Sequence, residues 1–351
     1  MNKSGLKSRL IIFLIKDVVM KRYLIAILLV IGFIFILREL GQYNATVMKE
    51  ANIETVVNIK AGMTDDEIGR ILYSKKLINS PELFTMQVNL KGYQGKLQAG
   101  KYKIKKGSTI SEIIDTIVKG QVIYNIFTIP EGYDIKQIAA KLQNEQICNA
   151  EKFKNIAKNY APYSYMKTNN KDVIYKAEGF IFPSTYYLSL DMDERAILAF
   201  MVKTFDENIK KNNIDKLVEE KNLKLRDVIT MASLVEKEAI YPSEMPLIAG
   251  VFYKRLSIGM PIQSDTTIQY LLGKQKEIVT YKDLKIESKY NSYLYKGLPP
   301  GPIASPSMKA IVATIKHTNT DYLYFVAGNK GKHLFSKTYK EHLRKIGEIN
   351  K

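Results

Sequence analysis

The chain has 351 residues, 46% hydrophobic and 25% charged, a balance that supports a sizeable core and excludes a disordered or repetitive polymer. Its one cysteine, Cys148, excludes an internal disulfide and any multi-cysteine metal site; His317, His333 and His342 lack a ligand spacing such as HExxH, so no metal and no other cofactor is expected. Lys plus Arg outnumber Asp plus Glu by 53 to 35, and the net charge of +18 suits nucleic acid, anionic lipid or an acidic wall polymer.

The N-terminal segments narrow that choice. Residues 23–37, YLIAILLVIGFIFIL, carry no charge and cover about 22 Å as a helix. Apolar residues 18–20 and Leu40, with snorkelling Lys21, Arg22 and Arg38, extend the run toward the ~30 Å hydrocarbon core. A single transmembrane helix is therefore predicted over residues 23–40. Residues 1–22 carry Lys3, Lys7, Arg9, Lys16, Lys21 and Arg22 against Asp17 alone, which predicts a cytoplasmic tail and an extracytoplasmic body. No small-residue cleavage site follows, so the run reads as an uncleaved anchor in the cell membrane and residues 41–53 as a stalk. A body outside the cell argues against nucleic acid and leaves wall material and headgroups.

Residues 54–145 hold three copies of one pattern: IKAGMTDDEIGRIL from Ile59, IKKGSTISEIIDTIV from Ile104 and IPEGYDIKQIAAKL from Ile129. Each predicts an extended residue, a turn at Gly62, Gly107 or Gly132, and a helix capped by Thr64, Thr109 or Asp134. The middle copy resembles the opening of a LysM module, a small glycan-binding fold. The three units are expected to be LysM-like modules, serving either to bind glycan or only as spacers.

Residues 146–351 form the expected catalytic body, a larger mixed α+β domain. Within it, LRDVITMASLVEKEAIYP (225–242) runs from an uncharged helix into Glu236, Lys237 and Glu238. At ~100° per residue Glu236 falls within the stripe of Leu225, Val228, Ile229 and Ala232, whereas Glu238 points away. A carboxylate on a packed face loses hydration, which raises its pKa toward the range of a general acid. Two readings stay open at this point: a boundary glutamate paired with Lys or Arg, or an acid delivered into a cleft.

Beyond Tyr175 the segments become aromatic and polar together. Tyr186, Tyr187, Tyr253, Tyr270, Tyr290 and Tyr293 offer flat faces with a hydroxyl, suited to sugar rings or simply to packing. GLPPGPIASP (297–306) predicts a rigid loop able to hold its neighbours in place. Gln263, Ser264, Asp265 and Asn291 are short polar groups near Glu236 in motif terms, and each could equally be a turn or cap residue.

The strings EGFIFPSTY, ASLVEKEA, IAGVFYKRL with GMPIQSD, YNSYLYKGLPPGPI, and YLYFV with HLFSKTY resemble, in order, those of the YceG-like (MltG) family of endolytic murein transglycosylases. The likeness runs from about Val57 to His342. It implies a peptidoglycan lytic transglycosylase that cleaves the bond between N-acetylmuramic acid and N-acetylglucosamine and leaves a 1,6-anhydro end. The glutamate of the family's VEKE string, its catalytic acid, falls on Glu236. The resemblance further implies substrate-binding roles for Glu178, Gln263, Asp265, Asn291 and Tyr253, and penicillin-binding proteins of the elongation machinery as partners. Thr266, Tyr295 and Leu343 depart from the family's common Pro, His and Asn. The alternatives are a hydrolase pairing Glu236 with Glu178 or Asp265 as second carboxylate, and a non-catalytic glycan-binding scaffold.

Overall fold

The computed structural model describes residues 30–34, 53–274, 276, 278–328 and 331–349. Residues 30–34 are helical; the rest of the span predicted over residues 23–40, the tail and nearly all of the stalk lie outside the described residues. Among the described residues, no helix is long and apolar enough to cross a membrane. The chain divides into two compact units, Met1–Ile123 and Tyr124–Lys351.

The first unit runs β1 (Glu54–Ile59), α1 (Asp65–Ser74), α2 (Pro81–Leu90), β2 (Gly100–Lys105) and α3 (Ile110–Val118). Gly62 and Gly107 take φ of +84° and +86°, and Thr64 and Thr109 cap the following helices through reciprocal bonds with Glu67 and Glu112. These two copies are not separate modules. Their strands pair antiparallel, from Glu54 opposite Lys105 to Ile59 opposite Gly100, and together they enclose Val57, Leu72, Phe84, Tyr102 and Ile117. A lone strand with one helix would leave its ladder and one face unsatisfied.

The second unit contains β3 (Tyr124–Thr128), α4 (Ile135–Asn144), α5 (Ala150–Asn159), β4 (Thr185–Ser189), α6 (Glu194–Lys211), α7 (Ile214–Glu220), α8 (Leu225–Glu238), α9 (Met245–Ser257), α10 (Asp265–Leu272), α11 (Met308–Ile315), β5 (Tyr324–Ala327), β6 (His333–Ser336) and α12 (Tyr339–Ile349). β3 pairs antiparallel with β4, and β5 with β6. The mixture of helices and short antiparallel pairs is the α+β architecture expected. The boundary expected between residues 145 and 146 instead falls after Ile123: the third repeat copy supplies Ile129, Ile135, Ile138 and Leu142, and β3 before it Phe127, to the core of the larger unit.

α8 lies at the centre of that core, packed against α9, α10 and α11. Every residue from Val228 to Val235 is buried, so the helix is covered all round and not along one stripe. Its hydroxyls bond within the helix, Thr230 to the Arg226 carbonyl at 2.9 Å and Ser233 to the Thr230 carbonyl at 2.7 Å. The helical face therefore does not single out Glu236. Glu236 marks instead the point at which the buried stretch 228–235 leaves the core.

Candidate active site

Glu236 is half-buried on the last turn of α8, and its Oε2 accepts the backbone N–H of Ser307 at 2.9 Å. Ser307 is the N-cap of α11, its side chain accepting the Ala310 N–H, so the carboxyl faces the positive end of a helix. Burial pushes the Glu236 pKa up; the Ser307 bonds pull it down without cancelling that effect, the nearby Glu131 charge adds to the rise, and Lys237 lowers it. The group is thus biased toward its neutral, proton-donating form.

The surroundings of this carboxyl are built by the third repeat turn and the proline loop. The Gly132 N–H donates to the Ser305 carbonyl at 2.8 Å, and the Ser305 N–H returns a bond to the Tyr133 carbonyl at 2.8 Å. Lys237 Nζ donates to the Gly132 carbonyl at 3.3 Å. Gly132 adopts φ +75°, and a Cβ there would lie 3.7 Å from Glu236 Cγ. The loop itself is tied to α8 by the Ile303 N–H, which donates to Ser233 Oγ at 3.0 Å. Pro302 sits where a Gly179 side chain would be, 2.4 Å from a Cβ at that position. The EGF and GLPPGPIASP strings thus meet in space, and the loop does hold its neighbours.

Glu178 is 0% exposed and has no surface to offer a glycan. Its Oε1 accepts the Ile135 N–H at 3.0 Å and its Oε2 the Tyr270 hydroxyl at 3.2 Å, so it fixes the start of α4, directly after the Gly132 turn, against α10. Burial drives its pKa well up, and the Asp134 charge adds to this. The expectation of a substrate contact is corrected to that of a buried brace. Asn291, also 0% exposed, likewise faces inward: its Nδ2 donates to the Leu284 and Ile286 carbonyls at 2.9 and 2.8 Å, and its Oδ1 accepts the Tyr293 N–H. Tyr270 and Tyr290 are buried and packed ring to ring, 5.2 Å apart, and of the two Tyr270 borders the narrow space described below.

Gln263 and Asp265 are exposed. Gln263 holds φ +49°, fixed by its N–H on the Ser292 carbonyl, and Asp265 accepts the Tyr293 hydroxyl. Between them Ser264 donates its hydroxyl to Glu238. Glu238 was expected to point away from the apolar stripe, yet it too is half-buried, and burial raises its pKa despite the Ser264 bond. Both glutamates of VEKE are therefore desolvated. They differ in partner, a backbone N–H at a helix start for Glu236 and a serine hydroxyl for Glu238. A narrow space of about 30 Å³, lined by Asp134, Lys237, Thr266 and Ile303 among others, lies between the turn and α10. Tyr253 joins none of these groups; its ring packs against His317, tilted by 33° with centroids 4.3 Å apart.

A family model for the YceG-like family matches residues 57–348. The chain belongs to that family. It is 36% identical to the endolytic murein transglycosylase of Bacillus subtilis over 84% of this chain and 85% of that protein. It is 32% identical to the enzyme of the same name from Streptococcus pneumoniae over 83% of this chain and 58% of that longer protein. Among solved structures, a YceG-like protein from Listeria monocytogenes matches with a TM-score of 0.58 and 33% identity, over 83% of this chain and 99% of that one. Of the three departures from the family pattern, only Thr266 lies close to the site: it lines the narrow space, and its hydroxyl is 2.6 Å from Ser264 Oγ. Tyr295 donates to Glu287 and Leu343 is exposed on α12.

The residues that sequence reasoning missed are Glu131, Gly132, Ser305 and Ser307. Their signals were present as a turn glycine and as helix-capping and proline-flanked serines. Only the fold brings them to Glu236.

Proposed function

We propose that the chain is an endolytic murein transglycosylase acting on peptidoglycan, as its named relatives are, with Glu236 as its acid. The observation that carries this reading is the desolvated Glu236 carboxyl held by the Ser307 N–H at the exit of a buried helix. Protonated Glu236 donates to the glycosidic oxygen as the bond from C1 of N-acetylmuramic acid to that oxygen breaks. The C6 hydroxyl of the same sugar attacks C1, and its proton returns to Glu236, which leaves a 1,6-anhydro ring and a free 4-hydroxyl on N-acetylglucosamine. No water is consumed, and tethering of the nucleophile replaces a second carboxylate. Glu178 is enclosed and Asp265 is bonded to Tyr293, which weighs against either as the partner of a hydrolase.

Gln263 and Asp265 stand as exposed glycan contacts, the first unit as a LysM-like glycan-binding module, and residues 23–40 as the membrane anchor that holds the enzyme over newly made strands. Penicillin-binding proteins are the proposed partners by family resemblance. The test is mass spectrometry of digested wall. A Glu236→Gln chain with an unchanged melting curve yields no anhydro ends; anhydro ends at the unsubstituted rate reject the assignment, and reducing ends from the unsubstituted chain favour a hydrolase.

A further inference from the structure

A cavity of about 780 Å³ lies away from Glu236, between α9 and the segment that follows α11. Its Tyr253 feels the charge of Asp227, which lies about 13 Å along α8 from Glu236. The wall is rigid. Gly250 lets the Thr318 carbonyl press against α9, where a Cβ would come within 2.1 Å of it, and the Thr318 N–H donates to the Pro246 carbonyl at 3.0 Å. Tyr253 and His317 form an aromatic floor. His317 Nδ1 is 3.2 Å from the Thr314 carbonyl, an acceptor only, so Nδ1 donates that bond and the ring is held in place. Asn319 adds an amide. Lys254 approaches Asp321 Oδ1 at 3.4 Å and Lys337 approaches its Oδ2 at 3.7 Å, and the Asp321 side chain is 71% exposed. Two ammonium groups thus share one solvated carboxylate, an arrangement that another carboxylate can join at small cost.

We propose that this cavity is a second binding site for peptidoglycan, taking an acylated amino sugar that bears a carboxylated peptide. The sugar face lies on Tyr253 and His317, its acetamido group meets Asn319, and the peptide carboxylate meets Lys254 and Lys337. The proposal rests on the reading that the chain acts on wall glycan, and would hold the strand at a point remote from the cut.

The experiment uses the full Glu236→Gln chain in detergent with ¹³C-labelled histidine. Three histidine signals are expected, of which only that of His317 reports on the cavity. Titration with a soluble disaccharide–tetrapeptide should shift His317 saturably, with at least about tenfold weaker response to an uncharged chitotetraose. Lys337→Glu should weaken the response about tenfold without altering the melting curve. A His317 signal that does not move, or moves equally with the uncharged sugar, or is indifferent to Lys337→Glu, overturns the proposal. Anhydro-product analysis of the unsubstituted chain is scored separately, so failure of the catalytic reading is distinguishable from failure of this site.

Discussion

The Ser307 N–H donates to Glu236 Oε2 at 2.9 Å, so the acid at the end of α8 is held by the start of α11. Burial raises the Glu236 pKa and the Ser307 bonds oppose that rise. With Glu236 as the proposed acid the neutral form is the active one, so activity is expected to fall as pH rises through this raised value. Ser307→Ala keeps the backbone donor and removes the hydroxyl, weakening the opposition. The alkaline limb of kcat/KM should move to higher pH, while loss of the helix cap costs about 1 kcal/mol of stability. A pH–rate profile with parallel melting curves checks both; a limb that moves to lower pH contradicts the proposed balance.

Gly179 and Gly132 make contrasting predictions. Both have positive φ, but an added Cβ at Gly179 would lie 2.4 Å from Pro302, whereas at Gly132 it would meet Lys237 and Glu236 only at 3.5 and 3.7 Å. Gly132→Ala pays only for its backbone conformation, about 1 kcal/mol. Gly179→Ala must also displace the proline loop, and is expected to cost about 3 kcal/mol or more. Urea unfolding of the two variants should separate them; equal losses would mean that the contact with Pro302 does not constrain the loop.

The repeat pattern, helix starts and mixed architecture were legible because Gly turns and Thr or Asp caps act within a few residues. The unit boundary was not. Nothing in YNIFT (124–128) or in IPEGYDIKQIAAKL, which follows it, distinguishes a strand that pairs with β4 from one that pairs with another repeat, since pairing is decided by long-range contacts. The same limit explains the site. Glu236 was singled out by a local change in pattern and a family string, although the stripe geometry was superseded by burial on every side of residues 228–235. The family resemblance implied substrate-binding roles for Glu178 and Asn291, yet both turn inward to satisfy backbone donors and acceptors. Motif proximity does not reveal which way a side chain points.

Glu178 carries a pH prediction for stability. Its pKa in the folded chain lies well above 4.5, mainly through burial. Its neutral form is thus favoured by folding, and this contribution is fully present below the unfolded value of about 4.3 and is lost as pH rises through the folded value. Glu178→Gln preserves size and an acceptor oxygen while removing the titration. The variant should lose less stability between pH 5 and 8 than the unsubstituted chain, as read from chemical denaturation at fixed temperature. An identical pH dependence would show that the Glu178 pKa is not displaced in the folded state.

Asn291 separates a structural role from a substrate contact. Its Nδ2 bridges the Leu284 and Ile286 carbonyls and its Oδ1 accepts the Tyr293 N–H, while the Tyr293 hydroxyl in turn reaches Asp265. Asn291→Ala leaves two carbonyls and an N–H unsatisfied in the interior, an expected loss of about 1–3 kcal/mol. Asn291→Asp restores the acceptor for Tyr293 but sets a carboxylate against two carbonyl oxygens, so it should be no better than alanine at neutral pH and should recover as pH falls. A substrate contact predicts the opposite ranking: a raised KM with unchanged melting in both variants. Melting curves at pH 5 and 8, set beside KM for soluble glycan strands, decide between them.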